Sequence, residues 1–241
     1  MKAVILAAGR GIRMMPLTQN TPKPLLKINN KAILDHIIEL LPNEINKIII
    51  VINYLGHQII EHLRGRYSDK KIVFVWQKET NGSAMALKLV KPLLGKEKFL
   101  VMFSDDLHSK EAIKQCLSFD LAILVKKSPH PERFGVVTVK KPNKNVNVSC
   151  GTLGEIKKIV EKPKKPESNL VNVGVHVLDS RIFNYKAVKH SNGEYYLTDQ
   201  INQLAKDCSV KAIKTDFWLP IGYPEDLKKA EEIISNVSHE T

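Results

Sequence analysis

Short apolar runs alternate with segments whose apolar residues recur at helical spacing along the first half of the chain. The runs predict strands, and the periodic segments predict helices. Proline cannot donate the next backbone hydrogen bond, so Pro42 marks the end of the first helix. The predicted strands cover 2–6, 47–54, 71–77 and 98–106, and the predicted helices cover 32–41, 56–66 and 83–94.

Alternation at this pitch implies right-handed crossovers and a mainly parallel sheet, and therefore an α/β fold. The β-branched run 47–54 is typical of a strand that is covered on both faces. From about residue 119 the pattern loosens into strands at 120–127, 134–141 and 170–179, before a closing helix over 224–235. No stretch resembles a linker, so we expect one domain.

Composition narrows the class of protein. The chain has 241 residues, of which 43% are hydrophobic, enough to bury a sizeable core. No apolar run approaches the roughly 18 residues that would cross a bilayer, and the start is too short for a signal peptide. Cys116, Cys150 and Cys208 show neither disulfide-framework nor zinc-site spacing. We therefore expect a soluble, cytoplasmic protein with reduced thiols and no membrane partner.

The net charge of +12 allows either a nucleic-acid surface or an anionic small-molecule site surrounded by solvated lysines. Ten lysines, one arginine and three glutamates give residues 126–165 a charge of +8. Lysine doublets at 126–127, 140–141 and 157–158 flank apolar strands, where exposed lysines discourage edge pairing. Aromatic residues are few and do not alternate with the basic ones. These features favour a solvated face and no nucleic-acid partner.

The loop that follows the first strand predicts an anion site. Gly9 and Gly11 let the backbone approach a ligand closely, and backbone N–H groups around them can hold phosphate oxygens. Arg13 and Lys23 supply positive charge for the same anion. The spacing is not that of a P-loop.

Two later strands end in polar residues, Gln77 and Asp105. In an open α/β sheet, ligands bind beyond the carboxyl ends of the strands. The loop, Gln77 and Asp105 are therefore expected to meet at one edge of the sheet.

The loop and a series of later motifs closely resemble the signature of the sugar-1-phosphate nucleotidyltransferases, in particular the glucose-1-phosphate thymidylyltransferases and uridylyltransferases. The resemblance covers nearly the whole chain. The matching segments are Leu6–Arg13, Met15–Thr18, Pro22–Leu25, Gln77 with Gly82–Ala84, Ser104–Asp106, Arg133–Val137, Val160–Pro163, Asn172–Gly174, Glu194–Asp199, and Trp218 with Ile221–Leu227.

The resemblance implies a Rossmann-like three-layer α/β/α fold, with a mainly parallel mixed sheet and a smaller sugar-binding lobe. It implies a nucleotide-binding half over about 1–118 and a sugar-phosphate-binding half with the closing helix over about 119–241. The implied reaction is Mg²⁺-dependent: dTTP or UTP combines with a hexose 1-phosphate to give a nucleoside-diphosphate sugar and pyrophosphate. A CTP-dependent cytidylyltransferase for phosphocholine or another small phosphorylated acceptor, and an inactive nucleotide-sugar sensor, are the alternatives. Homo-oligomer formation is left open.

The resemblance also assigns the site residues. Arg13 meets the β- and γ-phosphates, Lys23 holds the α-phosphate and the attacking phosphate together, and Asp105 binds Mg²⁺. The implied nucleotide-binding residues are Leu6, Ala8, Gly9, Gly11, Gln77 and Gly82. The implied sugar-phosphate-binding residues are Gly135, Glu161, Lys162 and Asn172.

Two positions depart from the family pattern. Ser104 stands where glycine usually precedes the metal-binding aspartate, and Pro220 stands where a second aspartate follows the tryptophan by two residues. Proline offers no carboxylate. The metal is therefore held mainly by Asp105 and phosphates, or Asp216 substitutes, or the protein is weakly active. Adjacent Asp106 is a weaker candidate, because it points to the opposite side if its strand continues.

Overall fold

The computed structural model describes residues 1–140 and 151–237. Lys141 and Cys150, named above, lie outside the described residues. Cys116 and Cys208 are free. Within the described part of the chain, no helix is both long and apolar enough to span a membrane.

Thirteen strands lie within these residues. Their bounds are β1 Lys2–Ala7, β2 Lys27–Ile28, β3 Lys31–Ala32, β4 Lys47–Ile52, β5 Lys71–Trp76, β6 Phe99–Phe103, β7 Asp106–His108, β8 Ala122–Lys127, β9 Gly135–Lys140, β10 Thr152–Glu161, β11 Leu170–Leu178, β12 Lys211–Lys214 and β13 Trp218–Pro220. The main sheet has nine strands in the order β5-β4-β1-β6-β11-β8-β12-β10-β9. Only β10 and β11 run against the others, which confirms the prediction of a mainly parallel mixed sheet.

Helices cover both faces of this sheet. Their bounds are α1 Ile33–Leu40, α2 Gly56–Leu63, α3 Ser83–Leu89, α4 Lys91–Leu94, α5 Lys110–Leu117, α6 Leu197–Asp207 and α7 Pro224–Val237. Successive strand residues point to opposite faces. Ala3 and Ile5 of β1 therefore pack into a core with α1, α2, α5 and α7, and Val4 packs into a second core with α3, α4 and α6. The three-layer α/β/α prediction is confirmed.

Two predicted elements are each divided into two. The helix over 83–94 is two helices, α3 and α4, because Pro92 cannot donate a hydrogen bond that would continue α3. The strand over 98–106 ends at Phe103, and Asp106 begins β7, which pairs with β13. Ser104 and Asp105 form the turn between them. This interruption changes the direction of the side chains that follow β6.

Candidate active site

Two adjoining cavities open at the carboxyl ends of β1 and β6. The larger cavity has a volume of about 600 Å³ and the smaller one about 360 Å³. Their shared wall makes them one continuous cleft, since seven residues line both: Arg13, Gly82, Ser83, Phe103, Asp105, Glu194 and Gly222.

The larger cavity is built mainly from the loop after β1. The structure brings the predicted nucleotide-binding residues together here, along with both predicted catalytic residues. They are Leu6, Ala8, Gly9, Gly11, Gln77, Gly82, Arg13 and Lys23. Gln77 is buried, and its amide nitrogen donates to Asn81 Oδ1 at 3.2 Å.

The two loop glycines differ in what surrounds them. Gly11 has a φ of +64°, and a Cβ there would lie 3.0 Å from the Thr18 methyl group and 3.1 Å from the Lys23 Cβ. The Thr18 hydroxyl also donates to the Gly11 carbonyl at 2.8 Å. A Cβ on Gly9 would meet no described atom within 4 Å. Gly11 therefore fixes the shape of the loop, and Gly9 leaves open space beside the larger cavity.

Lys23, which lines the larger cavity, forms an ion pair with Asp105 on the wall that the two cavities share. The Lys23 ammonium lies 2.6 Å from Asp105 Oδ2, and its side chain is 10% exposed. Pro22 and Pro24 flank Lys23 and restrict its backbone, which reduces the entropy lost when the side chain is positioned. The structure thus brings loop residues, Gln77 and Asp105 together around the larger cavity.

Asp106 lines the smaller cavity beside Asp105, although a continuing strand would have turned it away. The turn after β6 is the reason. Burial, together with the negative charge of Asp105, raises the pKa of Asp106 well above its ordinary value, and Lys23 opposes the shift.

The predicted sugar-phosphate residues, Gly135, Glu161, Lys162 and Asn172, all line the smaller cavity. The Thr198 hydroxyl donates to Glu161 Oε2 at 2.9 Å. Burial raises the pKa of Glu161, because the charged form loses water. A Cβ on Gly135 would lie 3.1 Å from the same Glu161 oxygen. Glycine at 135 therefore leaves room for the carboxyl group.

Lys162 has a φ of +43°, a conformation that is strained for a residue with a side chain. Its amide donates to the Phe134 carbonyl at 3.0 Å, which ties this backbone to the start of β9. Its ammonium lies 5.3 Å from the centre of the Tyr196 ring and 3.9 Å from Glu161 Oε1. The surrounding contacts thus hold the Lys162 side chain over the smaller cavity.

Asn172 is oriented by a buried histidine. His176 Nε2 lies 3.0 Å from Asn172 Oδ1, and the Gly174 amide donates to the same oxygen at 3.2 Å. Because the oxygen takes both contacts, the Asn172 amide nitrogen is the group left to donate to a ligand. Burial and the nearby His108 lower the pKa of His176 to about 3.

The two cavities are joined by a close backbone contact. A Cβ on Gly82 would lie 2.6 Å from the Tyr195 amide nitrogen. The Ala84 amide donates to the Tyr195 carbonyl at 3.0 Å, and the Tyr195 amide donates to the Asn81 carbonyl at 2.9 Å. Residues that line the larger cavity are therefore fixed to the segment that carries Glu194 and Tyr196.

The structure distinguishes Asp216 from Asp106 as a replacement for the second metal-binding carboxylate that Pro220 does not supply. Asp216 lies outside both cavities, with an 87% exposed side chain that is paired with Lys214 at 2.6 Å. Pro220 lines the smaller cavity and is the cross-strand partner of Asp106. Asp106, rather than Asp216, therefore lies beside Asp105. Ser104 is buried and lines the larger cavity.

Further lining residues were not assigned a role from the sequence. Most of them fall inside the matching segments, so their position in a motif was the available signal. They are Phe103, Arg133, Glu194, Tyr196, Thr198, Tyr223 and Asp226.

A family model described as Nucleotidyl transferase matches residues 2–237. The chain belongs to this nucleotidyl transferase family. Among its relatives, the bifunctional protein GlmU of Methanocaldococcus jannaschii is 34% identical over 237 residues, which is 97% of this chain and 54% of GlmU. This nucleotidyl transferase therefore spans about half the length of the GlmU relatives that it matches. The UTP–glucose-1-phosphate uridylyltransferase AglF of Haloferax volcanii is 34% identical over 244 residues, covering 96% of both chains.

Solved structures share the fold. A candidate glucose-1-phosphate thymidylyltransferase of Bacillus anthracis, solved with sucrose, has a TM-score of 0.82 at 26% identity, covering 97% of this nucleotidyl transferase and 94% of that chain. A UDP-glucose pyrophosphorylase solved with UDP-glucose has a TM-score of 0.82 at 22% identity, covering 98% of both chains. At that identity the second likeness shows the fold alone.

Proposed function

We propose that this nucleotidyl transferase joins a pyrimidine nucleoside triphosphate, UTP or dTTP, to a hexose 1-phosphate. An oxygen of the sugar phosphate attacks the α-phosphorus of the triphosphate. The new P–O bond forms as the bond from the α-phosphorus to the bridging oxygen breaks, and pyrophosphate leaves. The products are a nucleoside-diphosphate sugar and pyrophosphate.

One observation carries the proposal: the larger and smaller cavities form a continuous cleft whose shared wall holds Arg13 and Asp105. Two phosphorylated reactants repel each other, so the barrier to their reaction is largely electrostatic and orientational. A cleft with two compartments and cations at their junction supports bringing the two phosphates together there.

Arg13 and Lys23 have separate tasks in this mechanism. Lys23 holds the α-phosphate beside the attacking phosphate. To do so, its ammonium moves from the Asp105 carboxylate to the phosphates when the substrates bind. Arg13 meets the β- and γ-phosphates and stabilises the departing pyrophosphate. Both act through preorganised charge, so the chain needs no covalent nucleophile.

Asp105 on the shared wall and Asp106 beside it in the smaller cavity fit Mg²⁺, which prefers carboxylate and phosphate oxygens and binds through one or two carboxylates. Within the described residues, no group of three or more His, Cys, Asp or Glu side chains is arranged to hold a metal. We assign Asp105 as the metal-binding residue, with Asp106 beside it, and phosphate oxygens would complete the coordination. When bound, Mg²⁺ neutralises charge that develops on the phosphates.

The base and the sugar are recognised by neutral and acidic groups. Gln77 offers a donor and an acceptor, which suits a pyrimidine edge. The likeness to AglF, which covers 96% of both chains, supports UTP as the first nucleotide to test. Glu161 accepts hydrogen bonds from sugar hydroxyl groups, Asn172 donates to a sugar oxygen, and Lys162 meets the sugar phosphate.

The free Cys116 and Cys208 support a reducing, cytoplasmic setting.

The experiment is a matrix of reactions with purified protein and Mg²⁺, in which each of the common nucleoside triphosphates is combined with a panel of phosphorylated acceptors. Pyrophosphate release and the nucleotide product are measured together. We expect release with UTP or dTTP and a hexose 1-phosphate.

Other outcomes identify the alternatives. Release with CTP and phosphocholine would replace this proposal with a cytidylyltransferase. Nucleotide binding without release across the whole panel would favour a sensor. Tight, salt-sensitive DNA binding without turnover would favour a nucleic-acid partner.

A further inference from the structure

The phenol of Tyr223 is held between two arginines at the rim of the cleft. The guanidinium carbon of Arg133 lies 5.1 Å from the centre of the Tyr223 ring, and that of Arg13 lies 5.5 Å from it. Hydrogen bonds from both arginines lower the pKa of Tyr223. Tyr223 therefore orients both guanidiniums at once.

The loop that carries Tyr223 is fixed in turn by Asp226. One oxygen of Asp226, Oδ2, accepts from the backbone amides of Gly222 and Tyr223, both at 2.9 Å. This pair of bonds at the start of α7 holds the ring at its place on the rim. The contacts from Asp226 to the Tyr223 backbone, and from the Tyr223 ring to Arg133, thus restrict the otherwise flexible Arg133 side chain.

The smaller cavity needs a cation for any phosphate that enters it. Several carboxylates line it: Asp105, Asp106, Glu161, Glu194 and Asp226. The Lys162 ammonium lies 3.9 Å from Glu161, whose carboxyl group offsets part of the positive charge of Lys162. Arg13 faces the larger cavity as well as the smaller one. Arg133 lines the smaller cavity and not the larger one, and no carboxylate of the described residues forms an ion pair with it. Neighbouring Glu132 pairs with His130 instead, at 3.6 Å.

We propose that Arg133 binds the phosphate of the sugar 1-phosphate, and that Tyr223 positions Arg133 beside Arg13 so that the two reactants are held on either side of one phenol ring. This inference rests on the proposed function, which it deepens by adding Arg133 to Lys162 and Lys23 as a further cation for the acceptor phosphate. A guanidinium suits this task because its donors can meet two phosphate oxygens at once.

The test compares Arg133→Gln, Arg133→Lys and Tyr223→Phe with wild type, and Arg64→Gln serves as a control on an exposed arginine that pairs with Glu61 far from the cleft. Arg133→Gln should raise the KM for the sugar 1-phosphate by about tenfold to a hundredfold, the range for one charge-assisted hydrogen bond. The KM for the nucleotide should stay near its wild-type value. Arg133→Lys should recover part of the loss. Tyr223→Phe should raise both KM values modestly, because it removes the hydroxyl group that accepts from both arginines while the ring contacts remain.

Calorimetric titration with glucose 1-phosphate, with phosphocholine and with glucose separates this inference from the proposed function, because binding needs no turnover. Weaker binding of a phosphorylated ligand to Arg133→Gln, with no matching change for glucose, supports the phosphate contact even if wild type releases no pyrophosphate. Equal affinities of wild type and Arg133→Gln would overturn it. So would a rise confined to the nucleotide KM, or no binding of either phosphorylated ligand to wild type.

Discussion

The Lys23 ammonium lies 2.6 Å from Asp105 Oδ2, so the cation assigned to the α-phosphate and the carboxylate assigned to the metal neutralise each other before substrates bind. The pair places the counterion of a nearly buried lysine at the boundary between the larger cavity, which Lys23 lines, and the smaller one. Replacing one partner leaves the other charge without its counterion.

Lys23→Ala should lower kcat by about a hundredfold or more, the scale for losing one preorganised electrostatic contact in a transition state. It should also tighten Mn²⁺ binding in the absence of nucleotide, because Asp105 loses its cation. Pyrophosphate release and Mn²⁺ titration measure the two effects. Lys27→Ala, on an exposed lysine of β2, is the control. A near-normal kcat in Lys23→Ala would remove Lys23 from the mechanism.

The two cavity glycines should respond differently to an added methyl group. Gly82→Ala places a Cβ 2.6 Å from the Tyr195 amide at a φ of +106°, so it should lower Tm by several degrees, as a loss of about 2 kcal/mol does in a chain of this length. Gly9→Ala has open space in the free protein, so Tm should hold while the nucleotide KM rises. Thermal melts with and without UTP provide both readouts. Equal Tm values for the two variants would contradict the packing argument at Gly82.

Pro220→Asp should strengthen metal binding. Residue 220 lies opposite Asp106 in the β7–β13 pair, and cross-strand Cβ atoms are about 5 Å apart. A carboxylate there would add an oxygen donor to Asp105 and Asp106, and we expect Mn²⁺ to bind about tenfold more tightly, as one added charged ligand contributes. Like charges should lower Tm without metal, and Mn²⁺ should restore it.

Pro220→Asn is the matched control, since it has the same shape without the charge. Electron paramagnetic resonance of Mn²⁺ gives the affinity directly, so the comparison does not depend on turnover. If the Asp and Asn variants bind Mn²⁺ equally, the metal lies elsewhere.

The buried contact between His176 and Asn172 should control sugar binding. His176→Leu removes one of the two donors to Asn172 Oδ1 and leaves only the Gly174 amide, so the Asn172 side chain is held less firmly. The KM for the sugar 1-phosphate should therefore rise by up to about tenfold, the value of one net hydrogen bond. The nucleotide KM should stay constant. His57→Leu, on an exposed histidine, controls for loss of a ring. Equal increases in both KM values would indicate a general loss of structure.

The fold was predictable where hydrophobic periodicity was strong. The β-branched run that forms β4 and the apolar spacing of α1 gave both elements within two residues of their observed bounds. The short strands β12 and β13 and the polar helix α5 were not predicted, because few apolar residues mark them and tertiary packing decides their structure.

The site divided in the same way. Loop residues beside β1 and at the strand ends were found because glycines and charges at those places have a chemical meaning. The side on which Asp106 lies depended on a turn that alternation could not predict, and the role of Tyr223 depended on two arginines far apart in sequence that meet at one ring. Contacts of this kind are set by topology rather than by local pattern.

Glu161 should make the protein less stable at neutral pH and more able to bind sugar. Burial raises the pKa of this carboxyl group above its ordinary value of 4.5. The carboxyl group therefore loses its proton at a lower pH in the unfolded chain than in the folded chain. The neutral carboxyl group contributes its full share of folding stability below pH 4.5, and this contribution is lost as pH rises through the folded pKa.

Glu161→Gln stays neutral and still accepts from the Thr198 hydroxyl, so its Tm should exceed that of wild type at neutral pH, and the difference should shrink as pH falls toward 4.5. Its kcat/KM for the sugar 1-phosphate should be low and flat with pH, whereas the wild-type value should fall on the acid side as Glu161 takes up a proton. Thermal melts and initial rates across this pH range measure both effects, with the exposed Glu167→Gln as control. If the Tm of wild type and of Glu161→Gln changed with pH in parallel, burial would not destabilise the charged carboxyl group. The argument that Glu161 lowers stability in order to bind sugar would then be wrong.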